Sequence, residues 1–574
     1  LTFHWISGFN HGRGSNYKIS EPQGNVLAAG RQNGLTLMYQ FNLTESLMVA
    51  QTDVAIYETT VGGLLRERAH DRADTRALIE SDLYGEIGRI WTYRDLLRDS
   101  ERLALALSSR FAPGDRLTVW APNIPEWVLM EYACALAGLV LVTANPSYQA
   151  QELRYVLEQS GSTGLFLVND YRGNPMAQIA AEAVAGLTAL RETVDLEDPE
   201  ALFRQGTRPA GLPEVTADDA AQIQYTSGTT GFPKGAVLSH RGLTNNARLS
   251  TTRAGTHKDS LWANFMPMFH TSGCGMITLG CLHAGCTMMV VKMFDPAVII
   301  HLIEREKVTG FIAVPTMLVG LLEALSGTPK DVSSMEIILS GGSMVAPDLV
   351  RETITQFNCG YQTVYGQTEC SPIITQHHSG DAIDDLCHTI GQVVPQTAVS
   401  VRDPASNAVV PINTVGEICV KGYCNMIRYH NNPEATAETI DGAGWLHTGD
   451  LGVVDARGYV RITGRVKEMI IRGGENLFPA EIENILAEHP EVLEVAVVGL
   501  PDERWGEVVG CFARLEEGRT LDPGELRGFC REHLSPQKTP TMWFQVTEFP
   551  LTGSGKVQKF ALREQFLKGQ HRPL

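Results

Sequence analysis

The sequence predicts an α/β protein. A large N-terminal domain of parallel sheets covered by helices carries a small β subdomain, and a small α+β C-terminal domain follows. Three observations predict this. Short apolar runs alternate with amphipathic segments from Leu117 to Phe357, and strand–helix–strand alternation builds parallel sheets packed under helices. Between about 391 and 465 the texture changes to short β-rich runs separated by turn residues such as Asp403-Pro404. From Val466 onward the remaining chain is long enough for a further unit of domain size.

In order, residues 1–50 are polar and glycine-rich without sustained periodicity, and are expected to form an irregular extension. The large domain is expected over 51–466, opening with an amphipathic helix at Val61–Ala69. Strand Leu117–Trp120 leads to a helix that Pro125 opens and Gly138 ends, then to strand Leu139–Thr143. Helix Glu152–Ser160 and strand Gly164–Val168 repeat the plan. Further on come helix Gly273–His283, strand Thr287–Val291, helix Pro296–Glu306, strand Thr309–Ala313 and helix Pro315–Leu325. Strand Met335–Leu339 and helix Pro347–Phe357 complete the series. The β subdomain (391–465) holds strands Val399–Arg402, Gly416–Lys421 and Tyr459–Thr463. In the C-terminal domain (467–574), helix Pro479–Glu488 puts Ile482, Ile485 and Leu486 on one face. Strand Val492–Gly499, helix Pro523–Leu534 and strand Trp543–Thr547 follow. Ligands of open parallel sheets bind beyond the carboxyl ends of strands, so the loops after Leu339 and Val364 draw attention.

Composition removes several function classes. A formal net charge of −18 argues against nucleic acid or an anionic membrane as main partner. A phosphate-bearing ligand therefore needs locally placed Lys, Arg or metal. Eleven cysteines form no C-x-x-C pair and no secretory leader is evident, which suits a reducing cytoplasm. The most apolar run, Val128–Ala144, is shorter than a bilayer span and contains Glu131, so no integral membrane segment is expected.

The densest chemical signal is Tyr225–Gly235, YTSGTTGFPKG, set between strands Ala221–Tyr225 and Ala236–Leu238. Glycine lets backbone N–H groups turn inward, and with hydroxyls they form an anion-binding concavity. Thr226, Ser227, Gly228, Thr229, Thr230 and Gly231 supply that concavity, and Lys234 adds a mobile charge suited to phosphate. It is not the G-x-x-x-x-G-K-[ST] loop that opens a helix. Four further stretches each leave two readings open. Tyr365-Gly366-Gln367-Thr368-Glu369 is a Mg²⁺-binding edge or a polar turn. Ser340-Gly341-Gly342 is a cradle for a flat ligand or a plain tight turn. Asp450, in Thr448-Gly449-Asp450, is a ribose ligand or a structural turn residue. Lys556, in Pro550–Lys556, is a presented or a merely solvated lysine.

YTSGTTGFPKG resembles the phosphate loop of the adenylate-forming superfamily: acyl- and aryl-CoA synthetases, luciferase and peptide-synthetase adenylation domains. The resemblance runs from about Thr92 to Lys559 with its signatures in family order. It implies a large domain of stacked mixed and parallel sheets and a mobile C-terminal domain. The implied substrates and cofactors are ATP, Mg²⁺, CoA and a small-molecule carboxylic acid. By that resemblance Glu369 binds Mg²⁺, Thr368 contacts the α-phosphate, and Tyr365 stacks on adenine beside Gly341, Gly342, Gly366 and Gln367. Asp450 takes the ribose, Arg465 adds a positive contact, Lys467 is the hinge, and Gly473 and Gly474 face the pantetheine tunnel. Lys556 resembles the catalytic lysine of adenylation, offsetting the charge of carboxylate and α-phosphate.

Pro267-Met268-Phe269-His270-Thr271 bears on the acid. Amino-acid-activating relatives carry Asp where this chain has His270, so an amino acid is disfavoured and His270 joins the expected catalytic set. Segments Met268–Met276, Phe311–Leu318 and Cys370–Ile374 are apolar, so Phe269, Gly275, Val314 and Ser371 are expected to line an acyl pocket. Tyr365–Pro372 and Ile470–Pro479 look most like medium-chain fatty acyl-CoA synthetases. An aryl or polycyclic acid-CoA ligase, or an adenylation enzyme loading a carrier-protein thiol, is the alternative. His377-His378-Ser379-Gly380-Asp381 misses the H-H-x-x-x-D of condensation enzymes by one residue and is read as a solvated loop. No cysteine–histidine cluster has zinc spacing.

Overall fold

The structure, a computed structural model, describes residues 27–32, 35–208, 211–226, 233–327, 330–473, 475–515, 518–551 and 557–574. Two large sheets carry the N-terminal part. The first has seven strands in the order Arg428–Tyr429, Lys234–Ser239, Ala220–Thr226, Val140–Thr143, Arg116–Trp120, Gly164–Leu167, Glu192–Asp195. It is parallel from Ala220–Thr226 to Glu192–Asp195 and antiparallel at the other edge.

The second has nine strands: Gln392–Val393, Ile373–Gln376, Gly360–Gly366, Ile337–Gly341, Gly310–Ala313, Leu261–Asn264, Thr287–Val291, Arg76–Ser81, Ile87–Thr92. Its middle is parallel and both edges are antiparallel. Helix Pro125–Leu136, opened by its proline, is buried almost all round, and Trp120, Trp127 and Trp262 are buried in one core cluster. Each such aromatic contributes roughly 2–3 kcal/mol through burial. A second cluster, including Phe311, Leu318 and Phe357, lies among the helices that follow the nine-stranded sheet.

A five-stranded antiparallel sheet joins Val460–Arg465, Leu446–Val454, Gly416–Gly422, Thr397–Arg402 and Leu47–Met48. A last sheet is built from Glu475–Leu477, Ile470–Arg472, Gly506–Leu515, Val492–Asp502 and Met542–Gln545, with core clusters of its own. Among the described residues no helix is long and apolar enough to cross a membrane.

Three expectations are corrected. The irregular extension over residues 1–50 gives way, in its described part, to a hairpin of Leu27–Gln32 with Leu35–Gln40 and to strand Leu47–Met48. That strand pairs with Thr397–Arg402 and buries Met48 completely; a two-residue strand has no periodicity of its own. The helix expected at Gly273–His283 is a π-helix, Ser272–Thr278, followed by α-helix Leu279–Ala284. Here Asn264 Nδ2 and Thr278 Oγ1 both donate to the Gly273 carbonyl, at 3.2 and 2.9 Å, drawing on an oxygen that regular helix pairing would use. His377 and His378 are buried, against the reading as a solvated loop. His377 Nδ1 accepts from the Thr363 N–H at 3.0 Å, and His378 Nε2 lies 3.0 Å from Gln392 Oε1.

Candidate active site

The phosphate-loop hairpin is built by antiparallel pairing of Ala220–Thr226 with Lys234–Ser239, Thr226 opposite Lys234. Ser227, Gly228, Thr229, Thr230 and Gly231 lie outside the described residues. Thr226 Oγ1 donates to the Lys234 carbonyl across the base of the loop at 3.4 Å. Lys234 Nζ stands 5.1 Å from the ring centre of Tyr429, a cation–π contact. Tyr429 is on the edge strand beside Lys234–Ser239, and its hydroxyl donates to Glu369 Oε1 at 2.6 Å. Strand pairing thus joins Lys234 and Glu369 through one aromatic ring. Burial, reinforced by the charge of Glu369, pushes the Tyr429 phenol up, so it remains a donor.

Glu369 and Thr368 are buried in the short 3₁₀ turn Thr368–Cys370. The turn is anchored by Met426 N–H donating to the Glu369 carbonyl at 2.7 Å and Gln367 N–H donating to the Pro372 carbonyl at 3.0 Å. Only glycine fits before it: a Cβ on Gly366 would fall 1.9 Å from the Pro372 oxygen. At the end of the neighbouring strand, a Cβ on Gly341 would fall 2.2 Å from the Val364 oxygen. Beyond it, a Cβ on Gly342 would meet Val314 Cγ1 at 3.5 Å, which places an expected nucleotide residue against an expected acyl-pocket residue. Ser371, expected in that pocket, turns inward instead. It is 1% exposed, and its hydroxyl donates to the Cys424 carbonyl at 2.8 Å.

Asp450 closes the other side. The Tyr365 hydroxyl donates to Asp450 Oδ2 at 2.9 Å, and Arg465 Nε lies 3.2 Å from Oδ1, these two residues being directly paired across adjacent strands. Burial and the Asp450 charge push the Tyr365 phenol well up. The register slips just before Asp450, and Glu417 Oε1 accepts from the Gly449 N–H at 3.0 Å, holding the turn.

This geometry has counterparts in known proteins. A family model described as AMP-binding enzyme matches residues 65–430, and one described as AMP-binding enzyme C-terminal domain matches residues 481–556. The putative acyl-CoA synthetase YngI of Bacillus subtilis is 34% identical over 546 residues, covering 89% of this chain and 98% of that protein. The chain belongs to the AMP-binding enzymes. Human mitochondrial medium-chain acyl-CoA ligase ACSF2 is 35% identical over 540 residues, covering 88% of this chain and 87% of that protein. ATP-bound MatB from Rhodopseudomonas palustris has a TM-score of 0.79 at 28% identity, covering 88% of this chain and 99% of that one. The complex of Bacillus subtilis o-succinylbenzoate CoA synthetase with ATP and magnesium ion has a TM-score of 0.76 at 28% identity, covering 88% and 100%. Like its family, this AMP-binding enzyme is an acid–thiol ligase that uses ATP, Mg²⁺ and CoA and forms AMP and pyrophosphate.

In this AMP-binding enzyme His270 is exposed, with Nδ1 turned back to Ser272, 3.1 Å from Oγ and 3.3 Å from the backbone N. Its carbonyl accepts from the N–H groups of Gly273 and Cys274 as the π-helix starts. Phe269 is half-buried, and Gly275 is buried with Leu243 and Thr271 around it. Beneath runs a buried polar chain that sequence reasoning missed. Gln222 Nε2 donates to Glu131 Oε1 at 2.7 Å, Gln224 Nε2 to Gln222 Oε1 at 2.7 Å, and Gln224 Nε2 lies 3.1 Å from Cys274 Sγ. Burial pushes the Glu131 carboxyl well up. A lone Glu inside the apolar run Val128–Ala144 was the available signal. Tyr429 was also missed, and no motif marks it.

Lys467 is exposed in the 3₁₀ turn Val466–Glu468, which joins strand Val460–Arg465 to strand Ile470–Arg472. Lys559 Nζ binds Glu468 Oε2 at 3.0 Å and Glu483 Oε1 at 2.8 Å, tying the last helix, Lys559–Leu567, to that turn. Gly473 packs against Trp505: a Cβ there would meet its ring at 2.7 Å. Gly474 and Lys556 lie outside the described residues, although Leu551 and Val557 pair across the base of the segment carrying Lys556.

Proposed function

We propose that this enzyme activates a medium-chain fatty acid, or an apolar acid of similar bulk, as an acyl-adenylate and passes the acyl group to CoA. The observation that carries the reading is the joining of Lys234 and Glu369 through Tyr429, with Val314 placed where a side chain on Gly342 would meet it. Support for the acid comes from the half-buried Phe269 and Val314, from His270 in place of an acidic residue, and from the names of the relatives above.

In the proposed chemistry the acid's carboxylate oxygen attacks the α-phosphorus of ATP and pyrophosphate departs. The CoA thiol then attacks the acyl carbon, losing its proton, and AMP departs. Lys234 and the loop 227–231 hold the outer phosphates, Thr368 the α-phosphate. Tyr365, Gly341, Gly342, Gly366 and Gln367 frame the adenine, and Asp450 with Arg465 takes the ribose. Glu369 presents an oxygen ligand of the kind Mg²⁺ prefers, and bound Mg²⁺ supplies neutralisation of phosphate charge. Lys556 stabilises charge during adenylation. The unit from 467 onward then turns about Lys467, exchanging Lys556 for Gly473 and Gly474 at the thiol path. Cytoplasmic placement is part of the proposal and rests on eleven cysteines, all free thiols.

A panel of saturated acids from acetate to palmitate, with benzoate and amino acids, tests the reading by acid-dependent pyrophosphate release and by CoA-dependent AMP release. The highest kcat/KM is expected at medium chain length. A maximum on acetate, benzoate or an amino acid overturns the substrate assignment. The Lys556→Ala variant is expected to bind ATP and lose adenylation; near-normal pyrophosphate release refutes its role.

A further inference from the structure

Apart from Glu369, the described residues hold one group of mixed metal-binding side chains, Glu417, Cys419 and His447, whose ligand atoms all lie within 4.8 Å of one another. The fold assembles it. Glu417 and Cys419 are two apart on strand Gly416–Gly422 and share a face, while Cys419 is directly paired with His447 on the neighbouring antiparallel strand. The register shift between Glu417 and Cys419 leaves the strand bulged at Thr448–Asp450 and brings the Glu417 carboxylate beside the same imidazole.

We propose that Glu417, Cys419 and His447 form a binding site for a soft divalent transition-metal cation of the Zn²⁺ class, separate from the Mg²⁺ that accompanies ATP. Cys419 Sγ lies 3.5 Å from His447 Nδ1. That matches the separation of about 3.5 Å between S and N ligands of one tetrahedral Zn²⁺, given bonds of about 2.3 and 2.0 Å. Glu417 Oε2 lies 2.7 Å from the same nitrogen, a hydrogen-bond distance, so it has to open by roughly 0.6 Å as the proton on Nδ1 yields to the cation. On the far side of the ring, Asp441 Oδ2 is 3.7 Å from Nε2, too far for a hydrogen bond but on the side from which carboxylates orient metal-bound histidines once they close. The thiol is buried, but the side chains of His447 and Glu417 are 22% and 12% exposed, which leaves an entry path and a fourth position for solvent. A sulfur–nitrogen–oxygen set selects Zn²⁺ over Mg²⁺, which prefers oxygen.

The site adjoins the turn that carries Asp450, the proposed ribose ligand. Glu417 Oε1 accepts from the Gly449 N–H, and Thr448 Oγ1 donates to the carbonyl of Ile418, between the two ligands, at 2.7 Å. A cation held there stiffens the turn that ends at Asp450.

The test titrates chelator-stripped, full-length enzyme with Co²⁺ as a coloured substitute for Zn²⁺. A near-ultraviolet thiolate-to-cobalt band is expected, saturating at one ion per chain and bleached by Zn²⁺. Cys419→Ser is expected to remove the band while Mg²⁺-dependent pyrophosphate release and the thermal midpoint stay near wild type. Asp441→Asn is expected to keep the band and weaken Co²⁺ binding roughly tenfold. Absence of the band from the wild type overturns the site, as does its persistence in Cys419→Ser. Should Cys419→Ser fold poorly, His447→Gln replaces it, with an unaltered Co²⁺ affinity again decisive against the site.

Discussion

Glu369 and Asp450 each accept a hydrogen bond from a tyrosine hydroxyl, Tyr429 at 2.6 Å and Tyr365 at 2.9 Å. Their anchorage differs. Glu369 is buried in a tight turn, and its tyrosine belongs to the edge of the seven-stranded sheet, well removed in the chain from Lys467. Asp450 sits on a strand whose neighbour, Val460–Arg465, runs straight into the turn at Lys467, and it shares charge with the last residue of that neighbour. The proposed phosphate side is thus anchored away from the proposed pivot, whereas the proposed ribose side lies one strand from it.

Four measurements test that contrast. Glu369→Gln is expected to lower pyrophosphate release roughly 10²–10³-fold at saturating ATP, the scale of losing one preorganised electrostatic group. A loss smaller than tenfold removes Glu369 from the phosphate side. Asp450→Asn is expected to cost about 2–3 kcal/mol, the range for hydrogen bonds to charged groups, chiefly as a raised KM for ATP. It should also slow CoA-dependent AMP release, because Arg465 loses its partner. An unchanged KM breaks the ribose assignment.

Acid separates the two parts by stability. Burial pushes His377 and His240, both in the large part, down to about 4. Their unfolded value is higher, so the unfolded chain binds more protons and stability falls as pH drops from about 6.5 toward 4. The slope is about 1.4 kcal/mol per pH unit for each histidine. In the C-terminal unit, burial raises the Glu483 carboxyl despite Lys559, so this group adds stability as pH falls through its window. Calorimetry at pH 7 and 5 should lower the large part's transition more than the C-terminal one; the reverse order contradicts the contrast. The smallest effects are expected from single hydroxyl deletions, about 1 kcal/mol each. Tyr429→Phe should act on kcat and Tyr365→Phe on the KM for ATP, and interchange of these two signatures merges the two sides into one.

What was legible in the sequence was what neighbours along the chain decide. Pro296 and Pro347 open helices that end as expected, at Glu306 and Phe357, because caps and apolar spacing are local properties. The Asp450–Arg465 and Gly341–Val364 pairings went unpredicted, since each depends on strand register between distant segments. Leu47–Met48 and Tyr429 behind Glu369 escaped for the same reason. The π-helix at Ser272–Thr278 and the buried His377 escaped because their deciding bonds, from Asn264 and Thr278 to the Gly273 carbonyl and from Thr363 to His377, leave no mark on periodicity. Ser371 was expected at the acyl pocket from the apolar segment Cys370–Ile374, and such a segment says nothing about which way a hydroxyl turns; with a left-handed backbone, φ 68°, its hydroxyl bonds the Cys424 carbonyl.

The ammonium of Lys559 grips Glu468, one residue past Lys467, while its own helix begins just after the Leu551–Val557 pinch. The proposed pivot is thus tied directly to the last helix. A rotation about the proposed hinge at Lys467 would therefore carry helix Lys559–Leu567 along through its grip on Glu468.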